Sequence, residues 1–228
     1  MEPPSGLEAH DLHERKLEAL RSVRPLTPTD VTKGTRRARY TAGRLATEER
    51  VPSYAEEDGV EPEHETETFA EVALELDSAR WAGTRFVLRA GKALNRRRKM
   101  AIVRFRPAGG EATELRIGVD GPENLSLHLT GGAPESPECL RLSATPPGLE
   151  LPAYGRVLLD VLNGRSTLSV RADEAEQAWR IVTPVLAGWA DGAVPLEEYP
   201  AGSAGPPARG SASGDDLRSE LRSGEGAA

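Results

Sequence analysis

Between residues 70 and 142 the chain repeatedly alternates apolar and polar side chains, and no helix-period stretch interrupts the alternation. Ala70, Val72, Leu74 and Leu76 are spaced by Glu71, Ala73, Glu75 and Asp77, the period-2 pattern of a strand with one buried face. Phe86 and Leu88, then Ala101, Val103 and Phe105, then Leu115, Ile117 and Val119, then Leu125, Leu127 and Leu129, and finally Leu140 and Leu142 repeat it between Gly- and Pro-rich loops. Parallel neighbours need long crossovers, so strands this close in sequence are expected to pair antiparallel. The implied fold class is α+β: a large, mainly antiparallel sheet with flanking helices.

The flanking helices are predicted on both sides of this series. Residues 7 to 24 read as an amphipathic helix with Leu12, Leu17, Leu20 and Val23 as its apolar positions and Pro25 as its stop. Residues 41 to 65 read as loop, rich in Glu and carrying Pro52 and Pro62. After the strands, Tyr154, Val157, Leu158, Val161 and Leu162 form one continuous apolar helix face, ended by Asn163-Gly164. A second helix is expected from Asp173, with Asp173 and Glu176 at capping-box spacing, presenting Ala178, Trp179, Val182 and Leu186, with a kink at Pro184. The face of Ala70, Val72, Leu74 and Leu76 carries more apolar surface than these helices cover, so a second copy or a homologous chain is expected to pack there.

Composition narrows the class without naming a function. With 228 residues, 38% apolar, the chain is long enough for a substantial core. No apolar run approaches the ~20 residues that span a bilayer, and Met1-Glu-Pro-Pro-Ser lacks the basic and apolar regions of a signal peptide; a cytoplasmic location and no membrane partner are expected. A net charge of −7 argues against a nucleic-acid protein. Cys139 is the single cysteine, which excludes an intrachain disulfide and a thiolate metal cluster; it reads as a small residue near the start of a strand. After Tyr199 the sequence turns to Gly, Ala, Ser, Pro and acid. Residues 1–9 are therefore expected as a flexible N-terminus, 10–206 as the domain, and 207–228 as a disordered tail.

Against this acidic background one stretch stands apart. From Arg89 to Lys99 the chain holds Arg89, Lys92, Arg96, Arg97, Arg98 and Lys99, just behind the Phe86/Leu88 strand and at a Gly91-Lys92 turn. Arg89, Lys92 and Arg97 are expected to project from the end of the sheet. A flexible Lys at the turn supplies a point charge and an Arg five residues on supplies a planar fork, a combination suited to a phosphate monoester. The spacing alone leaves open the commoner alternative, a solvated basic face. No catalytic residue and no metal ligand set is identified. His10 and His13 fall in the first helix, His64 in the acidic loop and His128 in a strand, and each reads as structural or solvated.

The segment Trp81-Ala-Gly-Thr-Arg-Phe-Val-Leu-Arg-Ala-Gly-Lys-Ala-Leu94 resembles the W-x-G-x-P-F-x-L-R-x-G-K-x-L signature in the carboxyl-terminal domain of the glucose-6-phosphate dehydrogenase family. Leu20-Arg-Ser-Val-Arg-Pro-Leu-Thr-Pro-Thr-Asp-Val31, Thr66-Glu-Thr-Phe69, Leu158-Leu-Asp-Val-Leu-Asn-Gly164, Val170-Arg-Ala-Asp-Glu-Ala-Glu-Gln-Ala-Trp179 and Tyr199-Pro-Ala-Gly-Ser-Ala-Gly-Pro206 resemble the same family in the same order, with Ala204 where the family usually has Trp. The resemblance covers about residues 10 to 206 and only the second of the family's two domains. The Rossmann domain, with its Gly-rich dinucleotide turn, its Asp-His-Tyr-Leu-Gly-Lys motif and its catalytic His, has no counterpart in this sequence, so no cofactor-binding residue is assigned.

What the resemblance implies is specific. The family oxidises glucose 6-phosphate to 6-phosphoglucono-lactone with NADP, and its large sheet forms a dimer interface. Carried over residue by residue, Lys92 and Arg97 match the two basic positions that hold the substrate phosphate. Arg89 and Asp120 fall near the substrate. Arg89, Arg98 and Lys99 are near matches to positions that hold a second, structural NADP in some animal members, a role not extended to this chain. Two departures bear on the site. Ile117-Gly-Val-Asp-Gly121 aligns with I-R-I-Q-P, placing Asp120 where a Gln helps hold substrate unless the alignment slips by one residue, and Arg37-Ala-Arg-Tyr40 stands for R-G-Q-Y. An acid beside a phosphate dianion repels it by about 1 kcal/mol or more at an effective dielectric near 20.

Three functions follow from the resemblance. The chain is the substrate-binding and dimerisation half of a glucose-6-phosphate dehydrogenase, truncated or split from a Rossmann-domain chain; or a non-catalytic module that pairs with an intact dehydrogenase; or an inactive relic. In each case the chain alone is expected to be inactive.

Overall fold

The computed structural model describes residues 2–6, 8–107, 113–119, 125–133, 136–144, 153–167 and 169–207. In chain order the elements are α1 (Ala9–Arg21), α2 (Pro28–Gly34), β1 (Thr35–Thr41), β2 (Gly43–Arg44), β3 (Arg50–Val51), β4 (Phe69–Leu74), β5 (Phe86–Gly91), β6 (Met100–Arg104), β7 (Glu114–Gly118), β8 (Leu125–Ala133), β9 (Ser136–Ala144), α3 (Ala153–Leu162), α4 (Ala172–Ala190) and β10 (Leu196–Pro200). The architecture is the expected α+β. Its strands form a four-stranded sheet in the order β10-β1-β4-β5, a second in the order β6-β7-β8-β9, and the small β2-β3 pair. Met1–Arg96 together with Leu159–Ala228 make one compact unit, and Arg97–Leu158 make another.

In the first unit β4 pairs antiparallel with both β1 and β5, whereas β10 joins β1 in parallel, Arg37 opposite Leu196 and Tyr40 opposite Tyr199. That one parallel pair leaves the sheet mainly antiparallel, as expected, since β10 lies outside the run of closely spaced strands. Helix α2 and strands β1 and β10 lie outside the sequence-based expectation, and β2 and β3 fall in the segment expected as loop. Helix α2 opens on a capping box, Thr27 Oγ1 accepting from the Asp30 N–H at 3.2 Å and Asp30 accepting from the Thr27 N–H at 2.9 Å, with Pro28 in its first turn. Strand β1 reads as a basic surface segment, Thr-Arg-Arg-Ala-Arg-Tyr-Thr, yet Arg36 and Arg37 are buried. Their charges are matched: Arg36 pairs with Glu197 and donates to the Pro207 carbonyl at 2.8 Å, and Arg37 donates to the Val194 carbonyl at 2.9 Å and to Glu65 at 3.1 Å.

The core of this unit corrects two apolar faces. Ala70 and Val72 pack on the buried cluster of Val31, Val185, Trp189 and Val194, and Val72, Leu76 and Phe86 pack on Val23, Leu74 and Ile181. The β4 face expected to receive a second copy is thus covered by this chain's own helices. Helix α4 starts at Ala172, one residue before the expected Asp173, because Glu174 rather than Glu176 caps it, accepting from the Arg171 N–H at 3.4 Å. It buries Glu174, Ile181, Val185 and Trp189 and turns Trp179, Val182 and Leu186 outward, the reverse of the expected face. The helix is apolar on two sides, and periodicity alone does not say which side meets the sheet. Pro184 lies within it without interrupting its bounds.

Helix α1 ends at Arg21, four residues before Pro25, and Val23 instead bridges to Leu76. Helix α3 ends as expected before Gly164, which adopts φ +66. Its apolar row is exposed, however, with Leu158 63% and Leu162 85% accessible.

In the second unit the register sorts side chains cleanly. Val103, Leu115, Leu127 and Leu142 form one cross-strand row and Ala101, Ile117, Leu125 and Ala144 the next, on one face. The other face carries the row Arg104, Glu114, His128 and Arg141, where Glu114 receives Arg104 at 2.7 Å and Arg116 at 2.8 Å. Burial works against ionisation of Glu114, but the two guanidinium groups outweigh it and hold its carboxyl below the ordinary value. The apolar face is open: Val103, Ile117, Leu125, Leu140 and Leu142 are all exposed. Cys139 lies in β9, opposite Thr130.

Candidate functional site

Strand β5 delivers the basic segment to a turn that the rest of the first unit holds tightly. Gly91, opposite Phe69 in the ladder, closes the strand, and a Cβ there would lie 2.9 Å from both Leu94 and Phe69 side chains, so only glycine permits the turn to fold this close. Behind the strand, Trp81 packs edge-on against Phe86 with ring centroids 5.4 Å apart. The next residue, Lys92, donates its backbone N–H to the Thr68 carbonyl at 2.9 Å. Ala93 then adopts φ +48, a conformation unfavourable for a residue with a Cβ, and its carbonyl accepts from the Gly202 N–H at 2.7 Å. Asn95 donates to the Ser203 carbonyl at 2.8 Å.

An aromatic cluster backs this turn. Tyr199 is 1% exposed and meets Phe69 and Tyr40 edge-on, with centroids at 5.8 and 6.4 Å, and Tyr40 in turn meets Tyr54 at 5.6 Å. The Tyr40 hydroxyl donates to Glu57, and burial, with that bond, pushes its phenol well above the usual value.

The sequence-predicted site residues fall as follows. The side chains of Lys92 and Arg97 are exposed, and among the described residues neither has a protein hydrogen-bond or ion-pair partner. Lys92 belongs to the first unit and Arg97 opens the second. Arg89 is different: it faces Glu71 across the ladder and is held by it at 2.6 Å, so its charge is already matched. Asp120 lies outside the described residues. Of the histidines, His10 is exposed on α1, His64 bonds Glu61 in a surface turn at 3.1 Å, and His128 faces Ser126 at 3.0 Å. His13 is buried between Glu174 and the Ser166 carbonyl, a structural placement. What sequence reasoning missed is Tyr199: only the motif Tyr199-Pro-Ala-Gly-Ser marked it, and its contact with the Lys92 turn spans 107 residues of chain.

A Rossmann-type dinucleotide site places a glycine-rich turn between a parallel strand and a helix N-terminus. Among the described residues no such turn exists: β1 runs into Ala42-Gly43 and the short β2, and its parallel partner β10 runs into Ala201-Gly202. The described residues offer no Rossmann-type cradle for a nicotinamide dinucleotide.

An α+β domain whose edge strand ends in a tethered, cation-bearing turn is the class that fold and site together define. The chain belongs to the family "Glucose-6-phosphate dehydrogenase, C-terminal domain", whose profile matches residues 1–218, and so to a family of oxidoreductases. It is 34% identical over 226 residues to the chloroplastic glucose-6-phosphate 1-dehydrogenase of Nicotiana tabacum, covering 90% of this chain and 37% of that protein. A solved glucose-6-phosphate dehydrogenase in complex with its substrate glucose-6-phosphate superposes with a TM-score of 0.75 at 26% identity, covering 98% of this chain and 46% of that one. The glucose-6-phosphate 1-dehydrogenase of Mycobacterium avium superposes with a TM-score of 0.70 at 32% identity, covering 90% of this chain and 43% of that one. The chain spans about two fifths of the length of the curated relatives it matches.

Proposed function

We propose that this chain is the substrate-phosphate-holding and dimer-forming part of a glucose-6-phosphate dehydrogenase, which oxidises glucose 6-phosphate to 6-phosphoglucono-lactone with NADP. The observation that carries this reading is the Lys92 turn: its backbone is tied to Thr68, Tyr199 and Gly202, while its ammonium group is exposed and unmatched. A rigid turn with a free cation suits a ligand that brings its own negative charge. Arg97, five residues on, adds the planar fork.

These groups bind and orient; they neither take up the proton nor receive the hydride lost by the sugar. Both of those tasks need a positioned base and a dinucleotide cradle, which a further domain supplies, in the same chain or in another. The open apolar face of β6–β9 seats a second copy or an intact homologue, which also supports the reading of a module that pairs with a complete dehydrogenase. Asp120, read in register, weakens the site, and Asp120→Gln tightens substrate.

The test is substrate and coenzyme titration of the chain reconstituted with a Rossmann-domain partner. Lys92→Ala weakens glucose 6-phosphate binding by about 1–3 kcal/mol, the scale of a lost charge-assisted bond, and leaves coenzyme affinity unchanged. Arg97→Lys also weakens it, because a point charge does not reproduce the fork. Equal losses for substrate and coenzyme on Lys92→Ala would make the cluster structural and the reading wrong.

A further inference from the structure

Four groups around the Lys92 turn form a hydrogen-bond chain in which each donor has one acceptor. The Tyr40 backbone N–H donates to Thr68 Oγ1 at 3.0 Å; Thr68 Oγ1 and the Tyr199 hydroxyl are 3.0 Å apart; the Tyr199 hydroxyl donates to the Lys92 carbonyl at 2.8 Å. The Thr68 carbonyl, 3.2 Å from the Tyr199 hydroxyl, already accepts from the Lys92 N–H at 2.9 Å. A hydroxyl has one proton. The arrangement is satisfied when Thr68 gives its proton to Tyr199 and Tyr199 gives its own to Lys92. Thr68 is 9% exposed and Tyr199 1%, so no water readily replaces a missing link.

We propose that Tyr199 is a positioning residue for substrate phosphate: its hydroxyl fixes the carbonyl of Lys92 and thereby the direction in which the Lys92 side chain leaves the turn. The inference rests on the phosphate reading of Lys92 and adds to it the device that orients the cation. Two observations support it. The tether acts on the residue immediately before Ala93, whose φ of +48 needs outside support to persist. Burial pushes the Tyr199 phenol up, against the hydrogen bond it accepts from Thr68, so the hydroxyl keeps its proton for donation to the Lys92 carbonyl near neutral pH. Tyr199 touches neither phosphate nor sugar, so its effect travels only through Lys92.

The experiment is a calorimetric titration of the full chain with glucose 6-phosphate for wild type, Lys92→Ala, Tyr199→Phe and the double variant. Tyr199→Phe raises the dissociation constant about 3- to 10-fold, the scale of one lost neutral hydrogen bond, and Lys92→Ala raises it about 10-fold or more. In the Lys92→Ala background Tyr199→Phe has no further effect on affinity, because the group it aims is gone. Thr68→Val, which removes the middle link, reproduces the Tyr199→Phe loss, and Thr68→Ser, which keeps the hydroxyl, does not. Additive losses in the double variant, or an unchanged affinity in Tyr199→Phe, overturn the positioning role while leaving the phosphate site standing. An unchanged affinity in Lys92→Ala, or no binding by the wild-type chain at millimolar glucose 6-phosphate, overturns the phosphate reading and this inference with it.

Discussion

His13 and Glu174 lie 161 residues apart in sequence and meet at 2.6 Å, Nδ1 to Oε1, in the interior where α1 crosses α4. Both are under 5% exposed, and Lys16 reaches the second Glu174 oxygen at 3.2 Å. Burial alone would raise the Glu174 carboxyl, but the hydrogen bonds from His13 and Lys16 prevail and hold it below its ordinary value of 4.5. A carboxylate whose folded value is lowered stabilises the fold above its unfolded value, and that contribution disappears as pH falls through the folded one. Glu174→Gln is therefore expected to lose about 3 kcal/mol near neutral pH, the cost of leaving buried donors facing an amide. Denaturant melts at pH 7 and in steps below pH 4.5 check it, the gap between variant and wild type narrowing as acid is added. A gap that stays constant across that range would remove the ionised pair as the cause.

Gly43 tests the packing of β2 on the segment after β10. A Cβ built there would stand 2.1 Å from the Ala201 carbonyl oxygen, which is backbone and has no rotamer to change. Gly43→Ala is expected to cost about 1–3 kcal/mol through forced displacement of that strand. A thermal melt measures it; an unchanged midpoint would mean that the two segments separate freely.

The open face of β6–β9 is expected to associate. Leu142, 52% exposed at the end of an apolar cross-strand row, is a suitable probe, since it lies outside the three buried clusters of the first unit. Sedimentation at about tens of micromolar, the range in which a stable dimer populates, should show a dimer for wild type and a monomer for Leu142→Glu. A wild-type monomer under those conditions contradicts the interface.

Incubated alone with glucose 6-phosphate and NADP or NAD, the chain is expected to produce no reduced coenzyme above a blank, because no cradle and no positioned base stand among its described residues. Absorbance growth at 340 nm that persists through repurification would show otherwise.

What sequence reading recovered and what it missed follow the range of the signal. The strands from β4 to β9 were legible because alternation is local, each residue announcing its face through its neighbours. Strand β1 was not, because Arg36 and Arg37 advertise a surface while their partners, Glu197 and the Val194 carbonyl, arrive about 160 residues later. Helix α4 was legible as a helix but not in orientation: Trp179 and Trp189 are equally apolar letters, and only the presence of Val31 beside Gly188 says which side is inside. At the candidate site, Lys92 was visible as a cation at a Gly-Lys turn within a basic stretch. The role of Tyr199 was invisible, since a buried tyrosine and a surface one are spelled alike.

The parallel pairing of β1 with β10 sets a timetable for synthesis. Everything between them must leave the ribosome before β1 gains its second neighbour, and Arg97–Leu158, contiguous in the chain, is complete well before that moment. The compact unit that contains β1 is thus the last to close, over a loop long enough to make closure slow. A nascent chain halted between residues 159 and 193 already carries Arg36 and Arg37 but neither Glu197 nor the Val194 carbonyl to receive them. Such a product keeps the Arg37–Glu65 pair but leaves Arg36 without Glu197 and Arg37 without its second acceptor, so the strand that the finished molecule buries holds its charges only in part.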